Sequence, residues 1–186
     1  LPIFPQPTAV NRPMNSPRIT PWQDGDPVPA SLLADIQARR PDGQLIGIDR
    51  LLLRSAPLAE GWNGLMRRVR AEFELTLEYL ELIMLRVAVL NGASFEWDVH
   101  YPVYLQAGGT EAKAAALQQP EPDAEFSSLE RLLIELTDQS TRGVVVEATV
   151  IEALKQTVGE RQAVEAVATV AAYNMVSRFL VALDIR

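Results

Sequence analysis

The chain has 186 residues, enough for one domain with a sizeable core and too few for two comfortable ones. A formal charge of -7 argues against non-specific nucleic-acid binding, which needs an excess of Lys and Arg, and gives no attraction to anionic membranes. No cysteine is present, which removes disulfides, thiolate metal sites and thiol redox chemistry, and fits a cytoplasmic protein.

Eight of the thirteen prolines fall within residues 1–29, so this stretch can be neither a regular helix nor a central strand. It reads as a proline-rich extended arm, either solvated or lying across a neighbouring subunit; Ile3, Phe4, Ile19 and Trp22 suit the second better. From residue 30 to 186 the pattern predicts a single all-helical domain. Ser31 is placed to cap a helix that ends at Arg39-Arg40, before the turn Pro41-Asp42-Gly43. A second helix follows over Ile46 to Leu53, and a third, amphipathic one runs from Pro57 to about Phe73.

Thr76 then reads as the N-cap of a central helix whose stretch Leu80 to Leu90 is almost wholly apolar. Asn91-Gly92 ends it, because both residues tolerate a left-handed backbone. Ser94 is placed to cap the next helix, which carries Glu96, Trp97, His100 and Tyr101 up to Gly108-Gly109, with Pro102 expected to kink it. Thr110 caps a short helix to Leu117, and Ser127 or Ser128 opens one carrying Leu129, Leu132, Leu133 and Leu136. Val144 to Val146 could be a short extended piece. A helix from Glu147 to Val158 is divided by Gly159 from a long final one, Glu160 to Leu183, whose polar interruptions favour burial over a membrane span. Alternation of period two is absent, so the fold class is all-α.

The candidate chemistry lies in the helix–turn–helix from Leu80 to Tyr101. Glu81 stands among Leu, Ile, Met and Val, where a carboxylate is costly to bury unless paired, and where burial raises its pKa into a useful range for acid–base work. Alternatively it occupies an exposed edge or a structural ion pair. His100, the sole histidine, lies four residues after Glu96, a spacing that stacks the two on one helical face and lets Glu96 orient the imidazole. With no second histidine or thiolate, a metal site would have to be carboxylate-rich. Arg86 and Arg178 are candidates to hold a substrate carboxylate in a bidentate fork, or else structural ion-pair partners. Trp97, Tyr101 and Tyr173 either line an apolar pocket or belong to core and interface.

Taken together, ELIMLRVAVLNGASFEWDVH, the following YPVYLQAGGT and the late GERQAVEAVATVAAYNMVSRFLVAL resemble the carboxymuconolactone decarboxylase family, which includes the alkylhydroperoxidase D-like proteins. The resemblance implies an all-helical alkylhydroperoxidase D-like domain and a homo-oligomer, from dimer to hexamer. In the peroxidase branch a glutamate precedes a Cys-x-x-Cys, and a histidine follows four residues after the second cysteine. Glu81 and His100 fall on the glutamate and histidine, while Ala93 and Glu96 occupy the cysteine positions. Peroxidase chemistry of that type needs an attacking and a resolving thiol, so none is expected here. The decarboxylase branch lacks the cysteines and has a glutamate four residues before the histidine, as Glu96 and His100 do, but no glutamate at the Glu81 position.

The resemblance therefore implies cofactor-free acid–base chemistry, of decarboxylase, lyase or isomerase type, on a small organic acid or lactone. Glu81, Glu96 and His100 are the expected catalytic residues. Arg86, Trp97, Tyr101, Tyr173 and Arg178 are the expected substrate contacts. The alternative is a family member that has lost thiol redox activity and serves as a binding or structural protein, with the polar trio a buried network and no accessible pocket at His100.

Overall fold

The computed structural model describes residues 17–40 and 42–185. All regular structure among them is helical: α1 Ala30–Ala38, α2 Gly47–Leu52, α3 Ala56–Ala71, α4 Leu77–Asn91, α5 Ser94–Gln106, α6 Glu111–Leu117, α7 Ser128–Gly143 and α8 Ala148–Leu183. The all-α expectation holds, and the element order follows the one read from the sequence.

α4 is the axis of the molecule. It packs against α5, α7 and α8, and more lightly against α6. Every residue from Leu80 to Ala88 is buried, so this helix has no solvent face over more than two turns. Gly92 closes it in the left-handed conformation, φ 66°, and the chain turns straight into α5. That hairpin lays α5 back along α4. Residues near the start of α4 thereby meet residues in the second half of α5. α1 and α2 pack on α3, which leans on α8.

The capping chemistry differs from expectation at three places. α1 begins at Ala30 with Pro29 as its N-cap, α4 takes Thr76 without a side-chain cap bond, and α5 starts on Ser94 with Ala93 at the N-cap position. Burial of an apolar face stabilises these helices without the cap. Thr110 and Ser127 do cap, accepting from the backbone N–H of Lys113 and Glu130. Pro102 lies inside α5 without ending it. Val144 adopts φ 67° in an irregular link rather than an extended strand. Gly159, at φ 82° and ψ 166°, is non-helical and interrupts α8 where the sequence predicts the division between two helices.

The part of the proline-rich arm within the described residues lies against its own chain. The Arg18 N–H donates to the Leu183 carbonyl, the Trp22 N–H donates to the Arg50 carbonyl, and the Trp22 ring is buried in the core. Through these contacts residues 17–29 are held on the domain rather than forming a solvated tail. Ile3 and Phe4 lie outside the described residues.

Candidate active site

Glu81 lies one turn into α4, and its burial at 3% exposure follows from the apolar run around it. A carboxylate there needs a partner, and His100 supplies it across the α4–α5 hairpin: Glu81 Oε2 and His100 Nδ1 are 2.7 Å apart. The pairing differs from the one the spacing suggested. Glu81, not Glu96, holds the imidazole; facing a carboxylate, Nδ1 carries the proton and Nε2 is left to meet a reacting group. Behind the imidazole, the Tyr173 ring of α8 stands edge-on at 5.1 Å. Burial pushes the Tyr173 hydroxyl up to about 12, against the opposing pull of Arg70, so it remains a neutral hydrogen-bonding group.

Glu96 is 2% exposed, and neither of its carboxylate oxygens has a hydrogen-bond partner. Its position in the first turn of α5 favours the anion through the helix dipole. Burial wins: desolvation lifts its pKa from 4.5 to about 9, with Arg70 acting in the other direction. At neutral pH it is a carboxylic acid beside a carboxylate–imidazole pair. Two chemically identical side chains thus sit in different environments, Glu81 against an imidazole and Glu96 without a partner.

All three groups open onto one cavity of about 390 Å³, also walled by Trp62, Phe95, Val176 and Leu180. Four arginines line it: Arg39 and Arg40 from the end of α1, and Arg67 and Arg70 from α3. Arg39 and Arg40 share the fully buried Asp49, at 2.7 to 2.9 Å. Burial pushes the Arg39 guanidinium below its ordinary value, with Asp49 opposing. Arg70 donates from Nε to the Tyr173 hydroxyl at 2.8 Å. Burial works against its charge, but Tyr173, Glu81 and Glu96 together hold its pKa above the ordinary value. The surplus of positive charge makes this an anion-attracting cavity in a chain of net charge -7.

The other expected contacts lie elsewhere. Arg86 is wholly buried, forked onto Asp138 at 2.6 Å and donating to the carbonyls of Leu117, Gln119 and Pro120. It ties α4 to α7 and to the loop after α6, with no donor left over for a substrate. Arg178 is exposed on α8 and is not part of the cavity wall. Trp97 and Tyr101 stack on each other, ring centroids 5.8 Å apart, outside this wall. Tyr173 supports the site from behind. The arginines that do face the cavity went unread because a basic residue at a helix end is ordinary C-terminal chemistry. Their signal was available: Arg39-Arg40 and Arg67-Arg68-x-Arg70 are local basic clusters in an acidic chain. Among the described residues no group of three or more Asp, Glu or His side chains is arranged to hold a metal.

Residues 56–138 match the carboxymuconolactone decarboxylase family. That span carries Glu81, Glu96, His100 and Arg70; Arg39, Arg40 and the late segment lie outside it. No curated protein matches the chain by sequence. Among solved structures the chain is similar to a peroxidase-related protein from Silicibacter, with a TM-score of 0.78 at 16% identity, covering 94% of this chain and 95% of that one. It is similar also to an alkylhydroperoxidase AhpD core protein from Ralstonia eutropha, TM-score 0.78 at 13% identity, covering 94% and 93%. A third similar structure is a variant of the debrominase Bmp8 in complex with 2,3,4-tribromopyrrole, TM-score 0.73 at 18% identity, covering 93% and 92%. At these identities the likeness establishes the shared helical fold.

Proposed function

We propose that this chain, whose residues 56–138 match the carboxymuconolactone decarboxylase family, is a member of that family and performs acid–base chemistry on a small organic acid or lactone, of the decarboxylase, lyase or isomerase type. The observation that carries this reading is the 2.7 Å Glu81–His100 contact sharing a cavity with the unpartnered, protonated Glu96. In a decarboxylation the bond to the departing carboxylate breaks and its electrons pass into a conjugated carbonyl, giving a dienolate and carbon dioxide. A proton then returns to carbon. His100 Nε2 takes up a proton from solvent and delivers it to the dienolate carbon, Glu81 fixes the tautomer and steadies the imidazolium, and Glu96 is the neutral acid beside the developing negative charge. Glu96 and Glu81 thus exchange the roles that sequence spacing suggested.

Thiol peroxidase chemistry does not belong to this reading, since Ala93 and Glu96 stand at the cysteine positions and the sequence has no thiol. A purely structural role, with the polar trio a closed buried network, expects no cavity at His100, so a cavity lined by both glutamates counts against it. The family resemblance also supports a homo-oligomer, and the absence of cysteine fits a cytoplasmic location.

The test is a panel of carboxylated lactones and unsaturated acids, followed for carbon dioxide release or double-bond migration. General acid–base catalysis contributes ~100- to 10,000-fold, so His100→Ala should lose turnover in that range while its circular dichroism stays that of the parent. Equal turnover in a folded His100→Ala protein would sink the mechanism.

A further inference from the structure

Two groups facing the cavity are left incomplete by the protein itself. Arg70 uses only Nε, on Tyr173, and among the described residues neither of its Nη atoms has an acceptor. Glu96, across on α5, has two buried oxygens without a partner. Each acts on the other electrostatically, and yet they form no ion pair. Both line the same cavity, so a third group placed between them can meet both. Burial keeps Glu96 protonated, which makes it a donor, and Arg70 is a donor only. A site built from a planar fork and a carboxylic acid is complemented by a group that only accepts.

We infer that Arg70 and Glu96 form a carboxylate clamp, Arg70 taking the ligand's two oxygens on its Nη atoms while the Glu96 O–H donates to one of them. A guanidinium fork matches a planar carboxylate in two parallel bonds. Tyr173 aims the fork by holding Nε, and the same ring backs His100, so the clamp and the imidazole are indexed to one side chain. A carboxylate seated there presents the rest of its skeleton to Trp62, Phe95, Val176 and Leu180, which selects a short apolar or unsaturated body. The ligand class is a small monocarboxylate or a compound presenting one such group.

The clamp rests on the reading of this cavity as the reaction site, and its test is a binding measurement that needs no turnover. Calorimetric titration with benzoate, and with benzamide as its neutral isostere, gives an affinity ratio that reports the fork. The parent protein should prefer benzoate by about tenfold or more, and Arg70→Gln should collapse that preference while benzamide binding stays put. Arg70→Lys, which keeps charge without the fork, should retain part of it. Glu96→Gln replaces one donor by another and should leave benzoate binding within about threefold. A benzoate affinity that rises sharply in Glu96→Gln would show an anionic Glu96 and overturn the clamp, as would a benzoate preference that survives Arg70→Gln or is missing from the parent. Catalysis surviving Arg70→Gln with KM unchanged would also remove the clamp while leaving the acid–base reading; benzoate binding through Arg70 in a chain without turnover would do the reverse.

Discussion

Glu81 and Glu96 are the same functional group, fifteen positions apart in sequence and facing the same cavity. One has an imidazole 2.7 Å away and the other has no partner, and in the proposed mechanism this difference gives them base-orienting and acid roles. The raised pKa of Glu96 also ties stability to pH. The folded protein holds this proton up to about pH 9, whereas the unfolded chain releases it near 4.5. Between those values the native state binds more protons, so the Glu96 contribution to stability falls as pH rises and levels off above about 9. Glu96→Gln should therefore unfold at a measurably higher temperature than the parent at pH 8. Its advantage should shrink toward pH 4 in parallel melting scans. An advantage independent of pH would mean that Glu96 is not a buried titrating group. The sequence named all three residues of the site but paired His100 with Glu96, because i,i+4 spacing is visible within a helix. The Glu81 contact depends on how α5 folds back on α4, which no local spacing encodes.

At the scale of elements, α4 carries two buried charges with different employment. Glu81 faces the cavity; Arg86 faces away, bound to Asp138 and three carbonyls. Removing one partner of a buried ion pair costs ~3–5 kcal/mol, so Arg86→Ala should lower the unfolding free energy read from urea denaturation by that much without shifting ligand affinity per folded molecule. A folded Arg86→Ala protein with parental stability and weakened benzoate binding would return Arg86 to the list of substrate contacts. After α5, the chain passes so close to Tyr104 that a methyl on Gly109 would overlap its ring. Tyr104 is wholly buried and cannot step aside, so Gly109→Ala should cost ~1–3 kcal/mol in chemical denaturation. Helix order and most boundaries were legible because apolar periodicity and the punctuation at Gly92, Gly108 and Gly159 survive into the fold. Caps were less legible: Thr110 and Ser127 cap, whereas Ser31, Thr76 and Ser94 do not, since packing fixes those helix ends.

At the scale of the molecule, an acidic chain encloses a basic cavity. The family-matched span provides Glu81, Glu96, His100 and Arg70, and the N-terminal segment folds over it to add Arg39, Arg40, Ile46, Ile48 and Leu52 to the wall. This closure was hidden in the sequence, where Arg39-Arg40 only marked a helix end. α8 is long and apolar enough to cross a membrane, but half of that window is buried within the fold, as its contacts with α4 and α7 require. Its outer face leaves Val164, Val167, Met175 and Val181 exposed. The proposed homo-oligomer predicts a light-scattering mass that is a multiple of 20.5 kDa; a monomer at micromolar concentration would contradict it. Above all of this stands the claim that a neutral Glu96 shares a cavity with an oriented Glu81–His100 pair. Infrared difference spectra between the parent and Glu96→Gln test it most directly. They should show a protonated carboxyl band at pH 7 that disappears as the pH passes about 9; a carboxylate band already present at pH 7 would contradict the account.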